Sequence, residues 1–588
     1  MWKTLKTLCP NVSTPDPDFV IKDGVKLDKA NDIANTFNNF FCEIGSKLAD
    51  NFDSNGNVRH DIDVSSVFYF CEITPQFVCD QLRTLKLGKA TGLDSISSRL
   101  LKAACNIVCI PLSVIMNMSL CTGKIPSDWK HARVTPIFKN GSRHEIGNYR
   151  PISVLPVIMK VFERAIHTRL YQYFTVNNLL TSCQSGFRAQ HSTVSTLLSV
   201  TNKMFKYFDE GKCVGALFLD LKKAFDTVNH KVLLKKLSLY GVTELPLSWF
   251  NSYLSERTQC TQFCGVLSDS KQLVCGVSQG SILGPLLFVI YINDIVNAVH
   301  KCDISLYADD TALFYASSDP LVMSQVLNEE MVSLSKWFYN NQLTLNVQKT
   351  NVMILGLSKR LQNFSHLNIS IDGIDLNRVD RCKYLGIILD QHLSFYDHIN
   401  YISGKIRQKL GIFARCRKYI SQDTALTLYK SLILPHFDYC DQVWDTCTLK
   451  QQDHLQILQN RALRTIVRAP QRTHIPDLHK QCQLTTLQER RTFHLATTIY
   501  KVMNGLMPSY LLDLLQTPQH NHRTRHIQSN NLSLPRCRLE TGKKAFAYRA
   551  PKLFNSLPQY VRQASNLGWL RSRNYTEIIS LRKPILLS

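Results

Sequence analysis

Two apolar runs meet at an acidic turn in residues 304–315. Ile304, Leu306 and Tyr307 precede Ala308-Asp309-Asp310-Thr311, and Ala312, Leu313, Phe314 and Tyr315 follow. Short apolar runs around a polar turn predict a β-hairpin with two adjacent carboxylates at its tip. Neighbouring carboxylates repel, and apolar flanks make their desolvation costly, so cations or donors must offset the pair. Taken alone, the pair reads first as a solvated turn, because Asp is a common turn residue. A divalent-metal site is the alternative. A second apolar run, 214–219, predicts a strand ending at Asp220, and the ends of strands in open sheets commonly carry site residues.

The rest of the chain alternates helix and strand patterns. Ile33, Phe37, Phe40, Phe41 and Ile44 recur at helical spacing. Thr74-Pro75 predicts a capped helix start, with the helix running to about Leu87 and ending in the basic, Gly-rich loop 88–94. That loop is an ordinary helix end or a phosphate contact; its Gly-Lys order is not that of a Walker motif. Residues 125–153 predict two strands joined by a turn at Gly141, which puts Lys139 and Arg150 on one hairpin. Two such cations either clamp a triphosphate or are solvated surface charges. Residues 157–180 are patterned as a helix, Ser192 caps another, and 221–230 are also patterned as helical. Gln279-Gly280-Ser281 is a turn ahead of an apolar helix from 286 to 295, and the turn is the part open to a ligand. Beyond Leu389, helical patterns run through Ile399, Ile402, Ile406, Leu410 and Phe413, then 426–434 with a stop at Pro435, then 455–466.

Composition adds a partner class. The chain of 588 residues is 44% hydrophobic and 19% charged, which is globular rather than disordered, and its length implies several subdomains. The net charge of +24 favours an anionic partner, nucleic acid before membrane surface. Residues 401–588 hold 29 Lys and Arg against 10 Asp and Glu, whereas the first 400 hold 40 against 35. A balanced body followed by a basic third suits a catalytic core with a part that grips a strand. The 19 cysteines form no framework, and reduced thiols are expected; Cys260 and Cys264 have metal-like spacing without further ligands. The longest uninterrupted apolar run, 282–292, is too short to span a bilayer, so no membrane partner is expected.

Seven segments, taken in order, resemble the reverse transcriptases of non-LTR (LINE-type) retrotransposons, most closely the jockey-like group. They are Asn148-Tyr149-Arg150-Pro151-Ile152-Ser153; Gln184-Ser185-Gly186-Phe187-Arg188; Phe218-Leu219-Asp220 with Ala224-Phe225-Asp226; the segment 278–288; Tyr307-Ala308-Asp309-Asp310; the segment 341–350; and Lys383-Tyr384-Leu385-Gly386-Ile387. The resemblance runs from about residue 85 to about 560. It implies an α+β right-hand polymerase with fingers, a palm built on an antiparallel sheet, a helical thumb, and helical extensions at both ends. The expected divisions are 1–120, an N-terminal helical region and linker; 121–386, fingers and palm; 387–480, a basic thumb; and 481–588, a basic, partly disordered C-terminal region with a loose stretch at 516–533.

The resemblance also implies roles. Asp220, Asp309 and Asp310 become ligands of two Mg2+ ions, with Mn2+ an alternative, and the Leu221 carbonyl an extra ligand. Lys349 becomes a candidate general acid for the leaving pyrophosphate. Lys139, Arg150, Phe225 and Gln279 become dNTP contacts, with Phe225 the gate against a ribose 2′-hydroxyl. Tyr384, Leu385 and Gly386 become the primer grip, and Lys405, Lys409, Arg461 and Arg464 contact a nucleic-acid backbone. The implied partners are an RNA template, a DNA primer or target, and dNTPs. The expected location is intracellular, and nuclear for an active element, although no compact Lys/Arg import run is evident.

Two departures qualify this. The family's upstream endonuclease is not expected in this chain, and residues 566–588 do not resemble the family's tail. The competing expectation is a catalytically idle remnant or a domesticated nucleic-acid-binding protein; an intron-encoded or telomerase-type polymerase fits the motifs less well.

Overall fold

The computed structural model describes residues 17–22, 24–49, 64, 66–365, 367–516 and 531–562. The loose stretch expected at 516–533 lies mostly outside the described residues, and the run 566–588 lies wholly outside them. The fold is α+β. The elements that matter below are, in chain order, α1 (Ala30–Ala49), β1 (His131–Phe138), β2 (Tyr149–Val154), α2 (Val157–Val176), α3 (Thr193–Asp209), β3 (Cys213–Leu219), α4 (His230–Leu239), β4 (Arg257–Phe263), α5 (Gly284–Ile292), β5 (Asp303–Tyr307), β6 (Asp310–Ser317), β7 (Asn351–Leu355), β8 (Arg381–Tyr384), β9 (Ile387–Asp390), α6 (Tyr396–Cys416), α7 (Leu449–Val467) and α8 (Leu487–Met503). They fall into two compact units. The first takes residues up to 181, 221–298 and 333–346; the second takes 182–220, 299–332 and 347 onward.

The first unit is built on a sheet in which β1 lies between β2, antiparallel to it, and β4, parallel to it. Helix α1 covers this sheet, packing Ile33, Ala34, Phe37 and Phe41 on Val134, Tyr149 and Phe263. Asn38 is buried among them and fully used: Nδ2 donates to Asp269 O at 2.8 Å, and Oδ1 accepts from Gln259 Nε2 and Thr261 Oγ1, each at 3.1 Å. A buried amide is tolerated on such terms only. The helix Pro75–Arg83 starts as expected, with Thr74 Oγ1 accepting from Phe77 N. It ends short of Leu87, because Thr84 turns its hydroxyl back onto Gln81 O at 2.8 Å, a local bond that competes with a further turn.

Two sequence expectations change here. Residues 221–229 are not a helix but a succession of turns: Lys223 has φ +50°, and the N–H groups of Asp226 and Thr227 both close on Lys223 O. Helix α4 begins only at His230, where Asn229 caps it by accepting from Val232 N at 3.1 Å. Secondly, Cys105–Thr122 is a helix long and apolar enough, by length and composition, to cross a membrane. Asn106, Ser113, Asn117 and Ser119 break its apolar run, which is why it was not visible as one. Cys105, Cys109, Leu112, Met116 and Leu120 form its buried side, against Pro75–Arg83 and Glu244–Leu254.

The second unit is built on a five-stranded sheet in the order Asn377–Arg378, β7, β3, β6, β5. Every residue of the central strand β3 is buried. Gly215 makes this possible on one face, since a Cβ there would lie 2.6 Å from Leu327 Cδ1 on the helix Pro320–Asn340. Pro435 does not end a helix as expected. Residues Tyr429–Ile433 widen to π spacing, and Pro435 falls in the first turn of Leu434–Asp438, where its missing N–H costs nothing. Carboxylates from this stretch meet basic side chains of α8 in a row: Asp438 takes both ends of the Arg490 fork at 2.5 and 2.7 Å, Asp441 meets His494 Nδ1 at 2.6 Å, and Asp445 meets Arg491 at 2.6 Å. Every described cysteine is a free thiol, and Cys260 and Cys264 join no group of metal-ligating side chains among the described residues.

One buried ion pair in the first unit gives a stability test. Lys236 Nζ donates to Asp294 Oδ1 at 2.6 Å with both side chains at most 2% exposed, and to the Tyr291 carbonyl. Burial pulls the Lys236 pKa down, and Asp294 resists that pull. Lys236→Met leaves the Asp294 carboxylate in the core without its cation. The expected loss, read by urea unfolding, is about 3 kcal/mol or more, and Lys236→Met with Asp294→Leu recovers most of it.

Candidate active site

The second unit gathers the carboxylates at one end of its sheet. Thr311 of β6 pairs with Leu219 of β3, so Asp310 lies level with Asp220, one step past the last pair. On the other side of β3, Asn351 of β7 pairs with Phe218, and Lys349 lies in the turn just ahead of β7. Asp309 sits in the turn between β5 and β6, and Asp310 opens β6 opposite Tyr307. Asp220 and Asp309 are half-buried, and Asp310 and Lys349 are exposed. The Asp220 N–H points to Thr350 Oγ1 at 3.4 Å, which ties the end of β3 to the start of β7.

This turn is held from behind by the segment at Gln184. Ser185 N donates to Leu306 O and Leu306 N to Cys183 O, so the segment runs alongside β5. The fully buried Gln184 carboxamide then accepts with Oε1 from Gly186 N at 2.7 Å and from Ala308 N at 2.9 Å. Ala308 has φ +56°, the left-handed region that a side chain disfavours by roughly 1–2 kcal/mol. The Gln184 bond supports that conformation and so fixes where Asp309 is presented. Gly186 must be glycine for this approach, since a Cβ would lie 2.2 Å from Ala308 N.

The other residues of this unit are arranged as follows. Leu385 and Gly386 form the two-residue turn between β8 and β9, both at positive φ, as a tight hairpin requires. Tyr384 does not face solvent: its ring lies 5.3 Å from that of Phe218, its hydroxyl is 3.2 Å from Ser305 Oγ, and burial pushes its pKa up. Tyr439 Oη donates to Leu385 O at 2.8 Å from behind the turn. Lys405 on α6 and Arg461 on α7 are exposed. Lys409 Nζ is engaged with Leu432 O at 3.0 Å, and Arg464 is half-buried with Nε sealed from solvent and unbonded. Of the four expected backbone contacts, Lys409 thus has a donor engaged within the protein.

Hard cations choose carboxylate oxygens, and the end of the β3 sheet offers three such side chains, so the donor set fits Mg2+. Among the described residues, the group whose ligand atoms lie within 4.8 Å of one another is instead Asp438, Asp441 and His494. Asp438 is already paired with Arg490, and Asp441 is hydrogen-bonded to His494 Nδ1, so the group reads as a network of contacts within the protein.

The residues expected to meet a nucleotide lie in the first unit. Ile137 pairs with Arg150 and Phe138 with Tyr149, and Lys139 N donates to Asn148 O, so Lys139 and Arg150 share one face of the β1–β2 hairpin, both exposed. Leu221 forms a bridge to Leu345, through Lys222 N and Thr344 O. The turns after Leu221 are tied to the hairpin by Lys223 Nζ, which donates to Gly147 O at 3.3 Å and Tyr149 O at 3.2 Å. One face of the Phe225 ring stacks on Phe288 of α5, centroids 4.6 Å apart. The Gln279 turn is stitched to both neighbours. Val277 N donates to Phe225 O at 2.8 Å, and Ser153 N of β2 donates to Gln279 O at 2.7 Å. Gly280, at φ +132°, leaves room for Ser153 O, which a Cβ would approach to 2.2 Å.

Sequence reading missed the group beneath that turn. Glu163 on α2 is fully buried. Its Oε1 accepts from Tyr253 Oη at 2.7 Å and Ser281 Oγ at 2.8 Å, and its Oε2 accepts from Ile282 N at 2.7 Å. Burial and this carboxylate push the Tyr253 pKa well up. Glu163→Ala removes the shared acceptor of three donors at once. It is expected to cost about 3 kcal/mol or more in chemical unfolding, with Glu163→Gln retaining part of the stability.

Residues 137–389 match the family described as reverse transcriptase (RNA-dependent DNA polymerase). The chain is 30% identical over 439 residues to a probable RNA-directed DNA polymerase from transposon BS of Drosophila melanogaster, covering 71% of this chain and 47% of the relative. It is 30% identical over 430 residues to the RNA-directed DNA polymerase from mobile element jockey of the same organism, covering 71% and 46%. A probable polymerase from transposon X-element matches at 29% over 436 residues, covering 72% and 47%. The chain thus spans about half the length of the curated relatives it matches. Those matches, with the acidic turn and its ordered neighbours, make the chain a member of the reverse transcriptase family, among those of non-LTR retrotransposons.

Proposed function

We propose that this chain is an RNA-directed DNA polymerase that extends a primer 3′-hydroxyl with dNTPs. The observation that carries the reading is the register of the second unit's sheet: Asp220, at the end of the central strand, is level with Asp310, which opens β6 beside Asp309. In this reading the sheet is the palm and the hairpin β1–β2 belongs to the fingers. The basic helices α6 and α7 are the thumb.

Asp220, Asp309 and Asp310, with the Leu221 carbonyl, would hold two Mg2+, which when bound stabilise the attacking and leaving oxygens of an in-line displacement. The chain's own groups do the rest. Lys139 and Arg150 bind the triphosphate, Arg with a bidentate fork and Lys as a point charge. Phe225, backed by Phe288, presents a rigid edge to the sugar and excludes a 2′-hydroxyl. Gln279 orients the nucleotide, and Lys349 gives a proton to the departing pyrophosphate. Leu385-Gly386 supports the primer end through its backbone, with Tyr384 as the anchor of that turn. Lys405 and Arg461 contact the duplex phosphates. RNA template, DNA primer and dNTPs are the partners, and a nuclear location follows for an element that copies into a chromosome.

Primer extension on an RNA template tests this. Asp309→Ala is expected to lower extension by about 10³-fold or more while duplex binding is kept. Extension by Asp309→Ala at the wild-type rate would contradict the mechanism. Gly186→Ala, which pushes the acidic turn from behind, is expected to lower the rate on the order of 10²-fold with little change in KM for dNTP. Salt titration of duplex binding should give a slope that falls by about 1 for each of Lys405→Ala and Arg461→Ala. Duplex binding without any extension by the wild-type chain would favour an idle binding protein instead.

A further inference from the structure

Asp226 has no part in the reading above, yet it is the residue on which the Gln279 turn closes. Its Oδ1 accepts from Gln279 Nε2 at 2.8 Å. Its Oδ2 is sealed from solvent and has no hydrogen-bond partner. The main chain around it is equally confined: a Cβ on Gly45 would lie 2.4 Å from Asp226 O, and one on Gly276 would lie 2.8 Å from it. Cys275 Sγ also donates to that oxygen at 3.6 Å. Asp226 and Gln279 together line a cleft with Ser153, His230, Arg257 and Ser278. An ionised carboxylate accepts hydrogen bonds and cannot donate them, so the orientation of the facing amide is fixed by chemistry.

We propose that Asp226 is a positioning residue: its carboxylate takes the Nε2 side of the Gln279 amide and leaves Oε1 as the acceptor offered to a hydrogen-bond donor on the incoming nucleotide. The inference rests on the reading of the Gln279 turn as nucleotide-facing. Leaving Oδ2 unpaired in the interior costs stability, and a fixed amide gives that cost a functional return. The arrangement has a pH dependence. Burial pushes the Asp226 pKa up to about 6 against the pull of Gln279 and Lys223. The other charged or titratable groups around it are His230 at the start of α4, Arg257 on β4 and Cys275 beside the turn. Above about pH 6 the carboxylate is ionised and the amide has one orientation; below it, a protonated Asp226 can donate to Oε1 and the preference is lost.

The test is steady-state primer extension by the full-length chain on an RNA template, with dNTP varied at pH 7.5 and pH 5.5, and a melting curve for each variant. Asp226→Ala is expected to raise KM for dNTP about tenfold at pH 7.5, with kcat changed by less than about threefold. Asp226→Asn offers a donor as well as an acceptor and does not titrate, so it behaves like the protonated acid at every pH. Its KM at pH 7.5 is expected to be raised to about the value wild type reaches at pH 5.5, and to change by less than about threefold on acidification. Unchanged KM in Asp226→Ala, or a loss confined to kcat, overturns the proposal. Should Asp226→Ala fail to fold, the Asp226→Asn profile decides: a wild-type rise in KM at pH 5.5 overturns it. Gln279→Ala separates the two levels. If it leaves KM for dNTP unchanged, the nucleotide-facing reading itself falls; if it raises KM and Asp226→Ala does not, only the proposal falls.

Discussion

A single buried carboxamide sets the position of the acidic turn. Gln184 Oε1 takes the N–H of Ala308, which sits in the left-handed region, and Gly186 lets the segment come close enough to do it. Without that support, an alanine at positive φ ahead of two adjacent aspartates would favour rearrangement, since strain and like-charge repulsion act together. With it, Asp309 is presented at the sheet end where β3 delivers Asp220. The strand register then brings Asp310 level with that residue. Every chemical role assigned to the sheet end depends on this prior arrangement of backbone.

The first unit solves a parallel problem by the same means. The Gln279 turn is fixed by main-chain bonds to Ser153 and Phe225, by the buried Glu163 beneath it and by Asp226 at its side. Glycine is again required at the closest approach, at Gly280. In both units a surface turn that carries chemistry is held by hydrogen bonds to buried polar side chains, which is how a turn gains the rigidity of a strand.

Much of this was legible in the sequence, and the parts that were not share a cause. Apolar runs on either side of Asp309-Asp310 predicted the hairpin, and the apolar run 214–219 predicted the strand that ends at Asp220. Thr74, Ser192 and Pro75 announced helix starts through local chemistry. Roles for Lys139, Arg150, Phe225 and Gln279 came from motif order, and the structure puts all four in one unit. Residues 221–229 carry a helix-like pattern, but tertiary bonds from Lys222 and Lys223 override it. Pro435 is an expected helix stop that a π-widened turn accommodates. Glu163 is a lone acid on an apolar helix face, and its partners are 90 to 119 residues away. Lys409 reads as a surface cation because a basic count says nothing about which ammonium turns inward.

The most direct measurement is single-turnover incorporation of one dNTP onto a DNA primer annealed to an RNA template, by the purified 588-residue chain as Mg2+ is titrated. The account predicts addition of one templated nucleotide, with a rate that rises and saturates with Mg2+. Tight binding of the primer–template with no incorporation at any Mg2+ concentration would contradict it.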